Sequence, residues 1–177
     1  MYYDYKRRWL SVIHKIKPQS IIEIGTAKAM TAQGLVTCAL DHHDIVHYIG
    51  YDLFDLATEQ TNKHELNKKG TGSYDKPFNR LQRLANRHSG FKFKLIRGFT
   101  TNTLTAPIIA DFVYIDGGHS YDTVKHDYSM VRGCRHVMFD DYHLDPVKKF
   151  IDELFEKISR RYAFVHIEPN KILLNKF

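Results

Sequence analysis

Several apolar runs in this 177-residue sequence end on an acid. Asp116 closes DFVYID and is followed by Gly117, Gly118 and His119, while Asp140 and Asp141 close VMFDD. Carboxylates delivered to neighbouring strand ends repel one another unless they are spread apart in solvent or neutralised by a cation. An all-oxygen set of that kind suits Mg²⁺, Mn²⁺ or Ca²⁺ rather than zinc. His119, three residues after Asp116, is of a type that takes a proton near neutral pH. A loop histidine that orders the start of the next helix is the competing reading. Asp52, at the end of IVHYIGYD, can accept hydrogen bonds from both hydroxyls of a ribose, or simply start a turn. Glu23 stands two residues before Gly25 in SIIEIGTAKAMT; it would repel a phosphate and attract an ammonium group. Gly25 permits close approach of backbone to a ligand. The loop is not GxGxxG, because Ala27 and Ala29 stand where further glycines would lie, which weakens a pyrophosphate-binding reading. A plain strand–turn–helix junction is equally compatible with it.

The elements that must position these residues alternate. Trp9, Val12, Ile13 and Ile16 have helical spacing, giving an N-terminal helix within residues 1–17 that ends before Pro18. Strands are expected over Ser20–Ile24, Ile45–Tyr51, Phe91–Ile96, Asp111–Ile115 and Cys134–Phe139, and helices over Ala29–Leu40 and Pro77–His88. Ser120 is placed to cap a helix running to about Arg132. Asp145-Pro146 starts another, with Asp145 as N-cap and Pro146 in the first turn. Tyr162–Ile167 and Lys171–Asn175 flank Glu168-Pro169-Asn170, a hairpin signal. Residues 53–74 read as a variable loop or lid. Such alternation implies an α/β fold, Rossmann-like and doubly wound, with a mostly parallel sheet ending in a C-terminal antiparallel hairpin. Length fits one domain over 1–177. Ligands of such sheets sit outside the carboxyl ends of the strands, where four of the five expected ends carry an acid.

Composition narrows the class. The two cysteines, Cys38 and Cys134, rule out a disulfide scaffold and a four-cysteine zinc site, and point to a reducing compartment such as the cytoplasm. The eleven histidines show no HExxH spacing. No apolar run approaches the roughly 20 residues of a membrane-spanning helix, so no membrane partner is expected. The net charge of +6 is local: Lys63 to Arg97 holds ten Lys and Arg against Glu65 and Asp75, a segment of +8 in a chain whose remainder sums to −2. Such a run is a solvated helix face or a surface that attracts phosphate or another acidic ligand.

Taken together, EIGT, the acid of YDLFD, and above all IDGGHSY followed by FDDYH resemble class I S-adenosylmethionine-dependent methyltransferases. The similarity is to the branch of macrolide-sugar O-methyltransferases related to catechol O-methyltransferase, and it runs from about Ser20 to the terminal hairpin. It implies a seven-stranded sheet. It implies that Glu23, Gly25, Thr26, Ala27 and Thr31 surround the methionine portion of the cofactor, that Asp52, with Leu53 beside it, binds the ribose, and that Phe99 and Thr100 lie beside adenine. Asp116 and Gly118 complete the cofactor-binding set. It also implies a divalent metal, Mg or Mn, on Asp116, Asp140 and Asp141, with His119 as general base and Asp116 beside it. The expected reaction is metal-assisted O-methylation of a hydroxylated small molecule, a sugar or an anionic compound. Two alternatives stay open. One is a nucleic-acid methyltransferase using the basic 63–97 segment, although no NPPY- or DPPY-type tetrapeptide follows the fourth strand. The other is a non-catalytic cofactor-binding domain, which the altered glycine loop favours.

Overall fold

A computed structural model describes residues 10–66 and 72–177. Its elements follow the chain as α1 (Ser11–Ile16), β1 (Ser20–Ile24), α2 (Met30–Leu40), β2 (Val46–Asp52), α3 (Glu59–His64), α4 (Asp75–Arg87), β3 (Phe91–Arg97), α5 (Thr100–Thr103), β4 (Phe112–Ile115), α6 (Tyr121–Val131), β5 (His136–Phe139), α7 (Asp145–Ile158), β6 (Tyr162–Glu168) and β7 (Lys171–Lys176). The seven strands form one sheet in the order β3-β2-β1-β4-β5-β7-β6. Strands β1 to β5 are parallel, and β7 pairs antiparallel with both β5 and β6.

Strands β1, β4 and β5 are short apolar runs because both sheet faces are covered. On one face Ile21, Tyr48, Phe91, Tyr114 and Met138 pack with Val12 and Ile13 of α1, Leu35 and Val36 of α2 and Leu81 of α4. On the other, Ile22, Ile24, Val113, Val137 and Phe139 pack with Val124 and Val131 of α6 and Phe150 and Leu154 of α7. The winding reverses between β1 and β4, so the crevice of this doubly wound sheet opens at the carboxyl ends of those two strands.

The expected alternation is present, with local corrections. Helix α1 ends at Ile16 with Lys17 in the left-handed conformation; residues 1–9 lie outside the described residues. Ser120 caps α6, its hydroxyl accepting from the Thr123 N–H at 3.2 Å. Asp145 is not the N-cap of α7: that position is Leu144, Asp145 is the first helical residue, and no side chain closes the cap. The expected loop over 53–74 contains a 3-10 turn at Phe54–Leu56 and the helix α3; its residues 67–71 lie outside the described part. The basic run maps to α4 and the edge strand β3, where Arg83, Arg87, Lys92, Lys94 and Arg97 are exposed. Lysines on such an edge discourage pairing with another sheet.

Candidate active site

At the switch point, the Asp116 N–H donates to the Ile24 carbonyl at 2.8 Å, and the chain turns away at Gly25 with φ +95°. A Cβ at Gly25 would stand 1.9 Å from the Asp116 carbonyl oxygen. Glycine is therefore required there twice over, for its conformation and for the close approach. The next two alternate residues, Ala27 (φ 45°) and Ala29 (φ 55°), are also left-handed. The loop thus keeps a glycine-type backbone while carrying alanine, which costs about 1–2 kcal/mol per residue. The Gly25 N–H donates to the Tyr51 carbonyl at 2.8 Å, and the Ala27 N–H to Asp52 Oδ2 at 2.7 Å, tying the loop to the end of β2.

A cleft of about 260 Å³ opens on this junction, and a second cavity beside it holds about 10 Å³. Of the residues expected around a cofactor, Gly25, Ala27, Asp52, Leu53, Phe99, Thr100, Asp116 and Gly118 line the cleft, as does His119. Glu23, Thr26 and Thr31 are not among its lining residues. Strand alternation turns Glu23 onto the α2 face, opposite Gly50 and Tyr114 in register. There it is fully buried and receives a hydrogen bond from the Tyr48 hydroxyl, and its Oε1 has no hydrogen-bond partner among the described residues. Burial pushes its carboxyl well above the ordinary range, the Tyr48 hydrogen bond opposing in part.

At the β2–β3 end, Asp52 is buried at 7% exposure. Oδ1 accepts from the Phe54 N–H and Oδ2 from the Ala27 N–H, each at 2.7 Å. Burial raises its carboxyl, and these backbone donors pull it back only in part. Each oxygen keeps a lone pair for a ligand hydroxyl. Phe99 presents its ring at 44% exposure on the same wall. Asp127, on α6, also lines the cleft, and the sequence reading missed it. Its signal was available: Val124, Asp127, Tyr128 and Val131 are the buried stripe of α6, so an acid stands at an apolar-face position. Glu65 was likewise missed. Its carbonyl accepts from the His119 N–H at 3.0 Å and its Oε2 from the Ser120 N–H at 3.1 Å, so the segment after α3 straps the 118–120 loop.

At the β4–β5 end, the two adjacent aspartates part company. Asp140 turns to β7: its Oδ2 takes the Tyr114 hydroxyl and the Lys171 ammonium, and its Oδ1 the Asn170 amide at 2.7 Å. Asp141, left-handed at φ 55°, turns to the cleft, where Oδ2 lies 2.9 Å from His119 Nε2 and Oδ1 lies 3.8 Å from His143 Nδ1. Ligand atoms of Asp116, His119 and Asp141 lie within 4.8 Å of one another, and Asp140 is not in that group. This departs from the expected aspartate trio, because the left-handed turn at Asp141 sends consecutive side chains to different neighbours. The Nδ1 atom of His119 is buried and has no hydrogen-bond partner among the described residues. The Tyr121 and Tyr142 hydroxyls donate to Glu153 and Asp152 of α7. Among the described residues no helix is long and apolar enough to cross a membrane.

No protein-family model matches the sequence, and no curated protein sequence matches it. Solved structures do match its fold. The O-methyltransferase NovP superposes with a TM-score of 0.72 at 17% identity, covering 96% of this chain and 79% of that one. CalS11, a TDP-rhamnose 3'-O-methyltransferase of calicheamicin biosynthesis, gives 0.63 at 13% identity over 96% and 78%. TomG from Streptomyces achromogenes, an O-methyltransferase of tomaymycin synthesis in complex with SAM, gives 0.61 at 12% identity over 100% and 82%. The fold of this chain is that of the class I S-adenosylmethionine-dependent methyltransferases.

Proposed function

We propose that the chain is an S-adenosylmethionine-dependent O-methyltransferase acting on a hydroxyl of a small molecule or sugar, with His119 as general base and divalent-metal assistance. One observation carries the reading. A single cleft at the switch point joins a nucleoside-type end, Asp52 with the Phe99 ring, to a paired His119–Asp141 beside Asp116. The cofactor fits the first end by its chemistry, since Asp52 retains acceptor capacity for two hydroxyls and Phe99 offers an open ring face. When bound, it supplies an activated methyl group on a sulfonium. The chain's task is then to align the acceptor hydroxyl and take its proton.

Asp141 orients the base. The Asp141 carboxylate, 2.9 Å from Nε2, fixes the orientation of the ring, and since Nδ1 is buried the proton is taken up on the Nε2 side, where the same carboxylate stabilises the imidazolium that forms. Asp116 and Asp141 would hold a divalent cation, and hard carboxylate oxygens suit Mg²⁺ or Mn²⁺ better than the imidazole does. Such a cation lowers the pKa of a hydroxyl and orients it. Asp140 is committed to Lys171, which leaves the base and two acids as the working set.

Calorimetric titration with S-adenosylmethionine and with S-adenosylhomocysteine, in Mg²⁺ and in EDTA, tests the reading. Stoichiometric binding is expected, followed by a screen of hydroxylated acceptors, sugars included, for methyl transfer. Absence of binding in both buffers sinks the proposal.

A further inference from the structure

Helix α4 carries a pattern that the cleft does not use. Lys76, Arg80, Arg83 and Arg87 follow one another at intervals of four, three and four residues. At 3.6 residues per turn they fall within about 60° of arc, as a stripe about 16 Å long. Pro77, Leu81 and Leu84 form the buried side of the helix, so the stripe runs along its flank. Lys76, Arg83 and Arg87 are exposed, and among the described residues none of the four cations closes an ion pair. The acid of the helix, Asp75, stands in its first turn. Like charges three and four residues apart repel and weaken a helix, so the stripe works against the element that carries it.

Arg80 marks where a ligand would lie. Its Nη1 donates to Gln33 Oε1 of α2 at 2.9 Å, which fixes the guanidinium against the neighbouring helix. Its Nε is buried and has no hydrogen-bond partner among the described residues. A cation that served only solubility would keep its donors in water, and one withdrawn from water without an acceptor calls for an explanation. A guanidinium presents a fork of donors that matches phosphate oxygens. Beside the stripe, on the solvent side, Asn79, Gln82 and Asn86 are exposed, a row of amides able to bond to phosphate, sugar or base. A basic helix that lies on a membrane needs a free apolar face, whereas Leu81 and Leu84 of α4 pack into the core. We infer that this face of α4 binds the phosphate backbone of a nucleic acid, with Lys76, Arg80, Arg83 and Arg87 each facing a phosphate. None of these residues lines the cleft, so the surface stands apart from the proposed methyl transfer.

The test is fluorescence anisotropy with a labelled DNA duplex of about 20 base pairs over a series of salt concentrations. With each cation of the stripe neutralising one phosphate, log K is expected to fall with log salt at a slope of about −3.6, a loss of about 10²-fold between roughly 50 and 200 mM. In the double variant Arg83→Gln/Arg87→Gln the slope shrinks by about 2, and affinity at the low-salt end drops by about tenfold or more. The control pair Arg160→Gln/Arg161→Gln removes the same charge from exposed positions outside α4 and leaves both quantities unchanged. Thermal melts check that the variants fold. No binding at the low-salt end, an unchanged slope in Arg83→Gln/Arg87→Gln, or an equal loss in the control pair overturns the assignment. Tighter binding to phosphatidylserine vesicles than to the duplex, lost in Arg83→Gln/Arg87→Gln, overturns it in favour of a membrane surface.

Discussion

At the β2–β3 end of the cleft, Asp52 is held by backbone N–H groups of Ala27 and Phe54. At the β4–β5 end the principal partners are side chains, Tyr114, Asn170 and Lys171 for Asp140, which also accepts from the Asp141 N–H, and His119 for Asp141. Backbone donors do not titrate, and they leave only if the loop itself comes apart. Side-chain donors can be exchanged for a metal ion or can give up a proton. The same residue type at the same kind of strand end is thus a fixed fitting in one place and an adjustable one in the other. Binding a constant nucleoside needs the first, and moving a proton needs the second.

If the two ends divide the work in this way, Asp141 is where they come apart most sharply. Asp141→Ala removes the group that orients His119 and one proposed cation ligand. Turnover with an acceptor found by screening is expected to fall by about 10³-fold, within the range for general acid–base groups. The dissociation constant for S-adenosylhomocysteine is expected to stay within about threefold. An affinity loss as large as the rate loss would mean that the ends are not separable.

The next largest effect concerns Asp140. Its carboxylate and the Lys171 ammonium are both nearly buried, with side chains 12% and 7% exposed. Removing one partner of such a pair costs about 3–5 kcal/mol, because the other charge is left uncompensated. Urea unfolding of Lys171→Met should show a loss of that order, and adding Asp140→Asn should restore most of it. If millimolar Mg²⁺ instead restores the single variant, Asp140 is a cation ligand after all, as the family resemblance implies.

This outcome marks the limit of what sequence could show. The strand ends, the sheet class and the terminal hairpin follow from short apolar runs with acids behind them, since a parallel strand covered on both faces has little freedom in composition. The direction in which each acid points does not follow. Asp140 and Asp141 are adjacent and alike, and their separation depends on the left-handed turn at Asp141 and on Lys171, some thirty residues away in sequence. Glu23 shows the same limit: its place before the glycine was legible, but its burial against Tyr48 depends on strand register. Helix α3 was hidden by its polar sequence, EQTNKH, which has no apolar stripe to read.

Asp127 extends the comparison to a buried acid that, among the described residues, is held by neither backbone N–H groups nor an ion pair. Its folded pKa, about 6, lies above the ordinary value of 3.8. The folded state therefore favours the protonated form. This group's contribution is most favourable below pH 3.8, declines as pH rises through the window from 3.8 to 6, and stays low above it. Two pKa units correspond to about 3 kcal/mol. In the absence of ligand, Asp127→Asn is expected to remove most of that decline. At pH 7 it should be more stable than the wild type by about 1–3 kcal/mol in urea melts. Parallel pH profiles for the two proteins would show that Asp127 finds a donor in solution, and would place it with Asp52 rather than apart from it.

The smallest expected effect tests whether the backbone that serves Asp52 is itself under strain. Ala27 is exposed and left-handed, so glycine there relieves a steric cost of about 1–2 kcal/mol at the expense of some entropy in the unfolded chain. Ala27→Gly should stabilise the protein by about 0.5–1 kcal/mol without changing the N–H that Asp52 accepts. Ala29 is equally left-handed but fully buried, and deleting its methyl forfeits about 0.8 kcal/mol of burial, which cancels most of the relief. Thermal melts that separate the two variants in this order would show that the loop holds its shape against the preference of its own residues. The opposite order would mean that packing of the Ala29 methyl contributes little and that the α2 face tolerates a gap beneath the loop.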